Sequence, residues 1–307
     1  MNHEPSSAER LADLQYAAAW RLLRAMPARP ARRVFETGGG WAAQRGGAGP
    51  DQLRANLARL VPSASPSALD ALVAAGMRSY GRYWSETFRL AARDLPRIHA
   101  GTRITGPGVD ALHSAFVDRR PVVIALPHSG NWDAAGAWLV EQLRALDREP
   151  GFTTVAQRLR PETLYRRFVA YREQLGMEVV AAGDGTAAHR VLTRRLRGGG
   201  VVCLVADRDV TGGGLPVQLL GAPARLPSGP ARLAALTGAL LVPACPTFTS
   251  DGWAIAFADP VPVPDRSAVP AAVQGLADEL GALLRVRPVD WHALQPIWLA
   301  DAERVPV

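Results

Sequence analysis

Up to about Leu95 the apolar positions keep helical spacing. Leu11, Leu14, Ala18, Leu22 and Leu23 or Met26 recur at three- and four-residue intervals, and the first helix ends near Pro27. The tract GGGWAAQRGGAGP, residues 38–50, predicts a loop with a broken helix, because glycine supplies backbone freedom. The stretch SPSALDALVAAGMRSYGRYWSETFRL then predicts a long amphipathic helix rich in aromatics, with Ser67 as its cap.

From about Thr102 short apolar runs alternate with helical segments. RPVVIALP, FTTVAQ, MEVVAAG, VVCLVAD, ALLVPACPTF and GWAIAFADPVPV read as strands. DAAGAWLVEQLRAL, PETLYRRFVAYREQLG, GTAAHRVLTRRLRGGG and PSGPARLAALTG read as helices between them, and the tail as helical. Continuous Val/Ile/Leu strands alternating with helices predict an α/β fold: one domain with a central, mostly parallel sheet flanked by helices, plus a helical N-terminal extension. The division expected is a helical region at 1–100, for membrane docking and an acyl groove, and an α/β core at 101–307.

With 35 basic against 28 acidic residues the 307-residue chain carries a formal charge of +7, and it contains no Lys. This balance points to anionic partners, though Arg, Ala, Gly and Leu enrichment without Lys also follows from a GC-rich coding bias. Cys203 and Cys245 lie inside apolar runs and read as reduced core residues of a cytosolic chain. The N-terminus lacks a signal-peptide pattern, and no run of about 18 uncharged apolar residues occurs, so no transmembrane helix is expected. The first helix carries Tyr16, Trp20, Arg21 and Arg24 among its apolar positions, a mix that suits a membrane interface as well as ordinary packing.

The chemistry concentrates in VVIALPHSGNWDAAGAWL, residues 122–139. His128 follows the strand at the edge where ligands of such sheets bind, and Asp133 falls in the first turn of the next helix, where the dipole favours a carboxylate. A turn at Ser129 and Gly130 can fold Asp133 under the imidazole, fix its tautomer and leave the other nitrogen as a base. A capping Asp and a loop His are also ordinary structural features.

HSGNWD matches the His-x4-Asp motif of the glycerolipid acyltransferase superfamily. AQRLRPETLYRRFVAYREQLGMEVV, the segment from VVCLVADRDV to ACPTF, and RPVDWHALQPIWLAD resemble later blocks of its branch containing the lipid A biosynthesis acyltransferases and an actinobacterial enzyme for phosphatidylinositol mannosides. The likeness spans nearly the whole chain. It implies transfer of a long, palmitoyl-like acyl group from acyl-CoA to a mannose hydroxyl of a phosphatidylinositol mannoside, with no cofactor and no metal. His128 would be the base, Asp133 its orienting carboxylate, and Asp207, or Asp209 two residues on, an active-site acid; relatives can carry Glu there. Backbone amides around Ser129, Gly130 and Asn131 are candidate oxyanion donors. Arg208, Arg225 and Arg232 would face phosphates, as would Ser228 and Gly229 at a helix start, with Arg158 and Arg160 as further candidates. Trp132, Ala135 and Leu139, with Tyr80, Trp84 and Phe88, would line an acyl groove. The expected location is peripheral, on the cytoplasmic face of the cell membrane, bound to its anionic surface. A different glycolipid or lysophospholipid acceptor, or a silent lipid-binding protein, is the alternative.

Rival classes fit less well. There is no G-x-S-x-G nucleophile elbow, His3, His99, His113, His189 and His292 form no short-spaced ligand pair, and the GGG runs fall outside a dinucleotide-binding context. No nucleic-acid-binding module appears, so no nucleic-acid partner is expected.

Overall fold

The structure, a computed structural model, describes residues 21–158, 162–183, 185–210 and 212–302. Leu11, Leu14, Ala18, Tyr16, Trp20 and Arg160 lie outside the described residues. The helical segment 21–25 stops before Pro27, as the proline predicts.

Three helices follow: α1 (Ala28–Arg45), α2 (Ala48–Leu60) and α3 (Pro66–Thr87). The glycine tract is therefore not a loop at Gly38–Gly40, where α1 runs straight through. A Cβ on Gly39 would collide with the Met77 carbonyl oxygen, and one on Gly81 with that of Phe35, so these glycines let α1 and α3 touch backbone to backbone. The break comes later, at Gly46 and Gly47, whose φ values of 72° and 117° few other residues tolerate. The cap of α3 is Ser65, not Ser67. Its Oγ accepts from Ala68 N at 3.2 Å, and Pro66 takes the first helical position, where no amide is needed.

The strands are β1 (Thr102–Thr105), β2 (Val122–Leu126), β3 (Phe152–Ala156), β4 (Met177–Ala181), β5 (Val201–Val205), β6 (Leu215–Leu219), β7 (Ala222–Leu226), β8 (Leu240–Phe248) and β9 (Trp253–Phe257). Seven form one sheet in the order β1-β9-β8-β2-β5-β3-β4, parallel throughout except between β8 and β9. β6 and β7 make a separate antiparallel hairpin that the sequence pattern did not signal, since Pro216 and Pro223 interrupt its runs. Its turn, Leu220–Gly221, has φ of 54° and 82°, the paired positive values of a tight hairpin.

One face carries α4 (Leu95–Ala100), which leads into β1, and three helices that connect strands, α5 (Val109–Val117), α6 (Trp132–Ala145) and α7 (Glu162–Gln174). The other face carries α8 (Thr186–Arg197), α9 (Gly229–Thr237) and α10 (Val269–Val286), and a short α11 (Leu299–Ala302) follows. Strand β2 shows how both faces are covered. Val123 and Ala125 join the core beneath α8, α9 and α10, while Val122, Ile124 and Leu126 join the core beneath α6 and α7. Helix α3 reaches both clusters, Val73 and Met77 entering one and Tyr83 the other, which carries Tyr83 and Trp84 to the edge where β2 ends.

Candidate active site

Strand register builds the central pair. β2 and β5 run parallel with Leu126 opposite Val205, so two residues on His128 stands opposite Asp207. The ladder continues through the Ala206 amide to the Leu126 carbonyl at 2.8 Å. His128 Nδ1 meets Asp207 Oδ1 at 2.7 Å, while Asp207 Oδ2 accepts from the His128 amide at 3.0 Å and from Trp291 Nε1 at 2.9 Å. Burial alone would raise the Asp207 pKa, but the facing His128 charge and these hydrogen bonds hold it below the usual carboxylate value. The imidazole is 36% exposed against 3% for Asp207, so His128 alone of the two faces solvent.

Asp133 does not orient His128. Its carboxylate points away into the protein, where Oδ1 accepts from Arg172 Nε of α7 at 2.8 Å and Oδ2 from Tyr83 and Thr87 hydroxyls at 3.4 Å. Four intervening residues allow either direction. What decides is the cap of α6: Asn131 Oδ1 accepts from Ala134 N at 2.9 Å, and Asn131 Nδ2 donates to Glu86 Oε2, turning the first helical residues toward α3. Burial lowers the Arg172 pKa, yet the adjacent Asp133 raises it further, so the guanidinium stays charged.

The loop after His128 is strapped from behind by Asp290, Trp291 and His292. Gly130 N donates to the Asp290 carbonyl at 2.8 Å, His292 N to the His128 carbonyl at 2.7 Å, and Ser129 pairs with Trp291. Ser129 N donates to the Pro127 carbonyl at 2.8 Å. The Ser129 and Gly130 amides are therefore already bonded within the protein, and the buried Asn131 side chain is taken up by the helix cap and Glu86. Gly130 is needed for its φ of 56°, and a Cβ there would lie 2.6 Å from the Pro246 carbonyl oxygen.

His128 opens into a cavity of about 450 Å³ at the ends of β2, β3, β4 and β5, lined also by Tyr83, Trp84, Trp132, Phe168, Arg172 and Arg208. A second, apolar cavity of about 80 Å³ lies under α6, walled by Ile124, Ala135, Leu139, Phe152 and Cys203. Trp132, Val155, Arg172 and Val205 line both. His128, Gln157, Arg172 and Arg208 thus stand among aromatic and aliphatic walls in the outer cavity, and hydrocarbon lines the space beneath it.

The pattern of the bacterial lipid A biosynthesis acyltransferases matches residues 6–300 of this chain. The chain belongs to that family. It is similar to the phosphatidylinositol mannoside acyltransferase of Mycolicibacterium smegmatis, with 47% identity over 292 residues covering 94% of this chain and 92% of the relative. The protein of the same name from Mycobacterium tuberculosis is 44% identical over 299 residues, covering 94% and 89%.

Of the residues expected in this acyltransferase's site, the fold brings His128 and Arg208 to one groove, with Asp207 buried behind the His128 imidazole. Arg208 is half-buried, and its Nε has no hydrogen-bond partner among the described residues. Asp209 is engaged elsewhere, accepting from Gly212 and Gly214 amides. Trp132, Ala135 and Leu139 line the inner cavity, and Trp84 the outer one, while Tyr80 and Phe88 pack on Trp84 with ring centroids at 5.9 and 5.4 Å. Arg158 is exposed, 3.9 Å from Glu162. Arg225, Ser228, Gly229 and Arg232 sit on the hairpin and α9, against the opposite face of the sheet, and none lines the groove. Cys203 and Cys245 are buried free thiols, and burial pushes the Cys245 thiol up to about 12. Among the described residues no group of three His, Cys, Asp or Glu converges on a metal-sized site. Arg172, Glu86 and Trp291 were missed. Each sits in a quoted segment, but only the folded chain gives it a partner.

Proposed function

We propose that this acyltransferase moves a long, palmitoyl-like acyl group from acyl-CoA to a mannose hydroxyl of a phosphatidylinositol mannoside, the acceptor named for both relatives. The observation that carries the mechanism is the His128–Asp207 pair at the mouth of a groove shared with an apolar cavity. With Nδ1–H donated to Asp207, His128 Nε2 holds the lone pair and takes the acceptor's hydroxyl proton. The alkoxide oxygen attacks the thioester carbonyl. Collapse of the tetrahedral adduct breaks the C–S bond, and His128 returns its proton to the departing thiolate, so one ester and one thiol replace one alcohol and one thioester. Arg172, held by Asp133 and lining both cavities, supplies positive charge beside the developing oxyanion. Arg208, with an unpaired buried Nε at the groove, suits a substrate phosphate. The chemistry calls for no cofactor.

Peripheral attachment to an anionic cytoplasmic membrane surface completes the reading. No helix among the described residues is long and apolar enough to cross a membrane. Val34 and Trp41 are exposed seven positions apart on α1, with the Arg45 guanidinium 5.1 Å from the Trp41 ring, which supports residues 1–100 as the docking region beside a core at 101–307.

The test is transfer of labelled palmitoyl from palmitoyl-CoA to a panel of mannosylated phosphatidylinositols, other glycolipids and lysophospholipids, with wild type beside His128→Ala. Product on the mannoside from wild type alone is expected. A different acylated acceptor would replace the substrate, and no product from either protein would leave a lipid carrier.

A further inference from the structure

Asp207 Oδ2 receives two donors from different directions, the His128 amide at 3.0 Å and the Trp291 indole at 2.9 Å. Neither donor can follow the carboxylate if it turns. The amide belongs to the end of β2, and Trp291 is 0% exposed, paired with Ser129 and packed edge-on against Trp298, with ring centroids 6.1 Å apart. Trp291 thus touches the loop that presents the base and the acid that orients it, but it does not line the groove.

We propose that Trp291 is a positioning residue for the transfer reaction: its indole N–H and the His128 amide pin Asp207 Oδ2, so that Oδ1 meets the imidazole at one fixed angle. The inference rests on His128 being the base. An acid with only one donor on Oδ2 would swing about its Cβ–Cγ bond and carry the imidazole with it, so His128 Nε2 would leave the line to the acceptor hydroxyl. The other charged or titratable groups near the pair are His292 and Asp290 of the strap, Arg287 bonded to Asp290, Arg208, Cys245, and Arg172 with Asp133 across the groove. Removing the indole donor leaves all of these in place.

The experiment compares full-length wild type, Trp291→Phe and Trp298→Phe. Trp298 is the control because it is equally buried, touches Trp291 and loses its own bond, from Nε1 to the Leu219 carbonyl at 2.9 Å, without any link to Asp207. The imidazole titration of His128 is followed by NMR, its signal identified by loss in His128→Ala, and kcat and KM for palmitoyl-CoA are measured across pH. Losing a donor weakens the deprotonated pair more than the protonated one. In Trp291→Phe the His128 midpoint should therefore rise by about one pH unit, and the acidic limb of kcat with it. Its kcat should fall about tenfold while KM stays within about twofold, since nothing in the groove changes. Trp298→Phe should lower the melting temperature yet keep the wild-type midpoint.

A wild-type midpoint in folded Trp291→Phe, or an equal shift in Trp298→Phe, overturns the inference. If Trp291→Phe does not fold, benzothienylalanine at 291, which keeps the ring shape without the N–H, is read the same way. The titration needs no turnover. A shifted midpoint in a protein that acylates nothing would sink the acyl-transfer reading while sustaining the Trp291 contact, whereas an unshifted midpoint in an active enzyme would sink the Trp291 role alone.

Discussion

Asp133 and Arg172 form a buried ion pair, Oδ1 to Nε at 2.8 Å, that joins the first turn of α6 to α7 beneath the groove. Asp133 is 1% exposed, so its charge has no water to fall back on. Asp133→Leu should cost about 3–5 kcal/mol of stability by leaving the Arg172 guanidinium unpaired. Pairing it with Arg172→Met should recover most of that. Urea unfolding of the two singles and the double checks this.

Gly38 and Gly39 are neighbours on α1 with opposite surroundings. A Cβ on Gly38 meets nothing within 4 Å, whereas one on Gly39 runs into the Met77 carbonyl. Gly38→Ala should stabilise by about 0.5–1 kcal/mol through helix propensity. Gly39→Ala should instead destabilise by about 1–3 kcal/mol, because α1 must lift off α3. Denaturant midpoints of the two variants, measured side by side, should move in opposite directions.

His292 is buried beside Ser79, its Nε2 3.0 Å from the hydroxyl, and burial pushes its pKa down to about 3. The unfolded chain binds a proton there near pH 6.5 and the folded chain does not. Stability is therefore full above about pH 6.5 and is lost as pH falls toward about 3, by up to roughly 5 kcal/mol. His292→Gln keeps a polar partner for Ser79 and removes the titration. Its unfolding free energy should lose less between pH 7 and pH 4 than that of wild type; equal slopes would show that His292 is protonated in the folded state.

Gly136 faces the inner cavity from α6, where a Cβ would come within 2.6 Å of Met177 Cε and 2.8 Å of Phe152 Cζ. Both atoms are side-chain ends that can move, and they can move only into the cavity or against the sheet. Gly136→Ala should fold, and it should shift the kcat/KM preference toward shorter acyl-CoA chains by about threefold to fourfold per carbon removed, in line with roughly 0.8 kcal/mol per buried methylene. A chain-length profile identical to wild type would mean that the acyl group runs elsewhere.

Much of this was legible along the chain. The uninterrupted VVIAL run of β2 can only be a strand covered on both faces, and Pro127 followed by His128 marks its end at the edge where ligands bind. The glycine tract misled because the same residue serves backbone freedom at Gly46 and close helix contact at Gly39, and only the neighbour distinguishes them. His128 and Asp133 looked like partners because they are four apart, yet sequence distance sets only which partners are reachable.

The sequence by itself determined the alternation of strands and helices, the α/β class and the candidate base, because periods of two and 3.6 residues record which side of each element must leave water. Tertiary structure decided which carboxylate meets His128. Asp207 reaches His128 across parallel strands β2 and β5 in register, and Trp291 reaches Asp207 from 84 residues further on. Strand order, register and the packing of the C-terminal strap are collective results of burying one core, and such long-range pairings leave no local period to read.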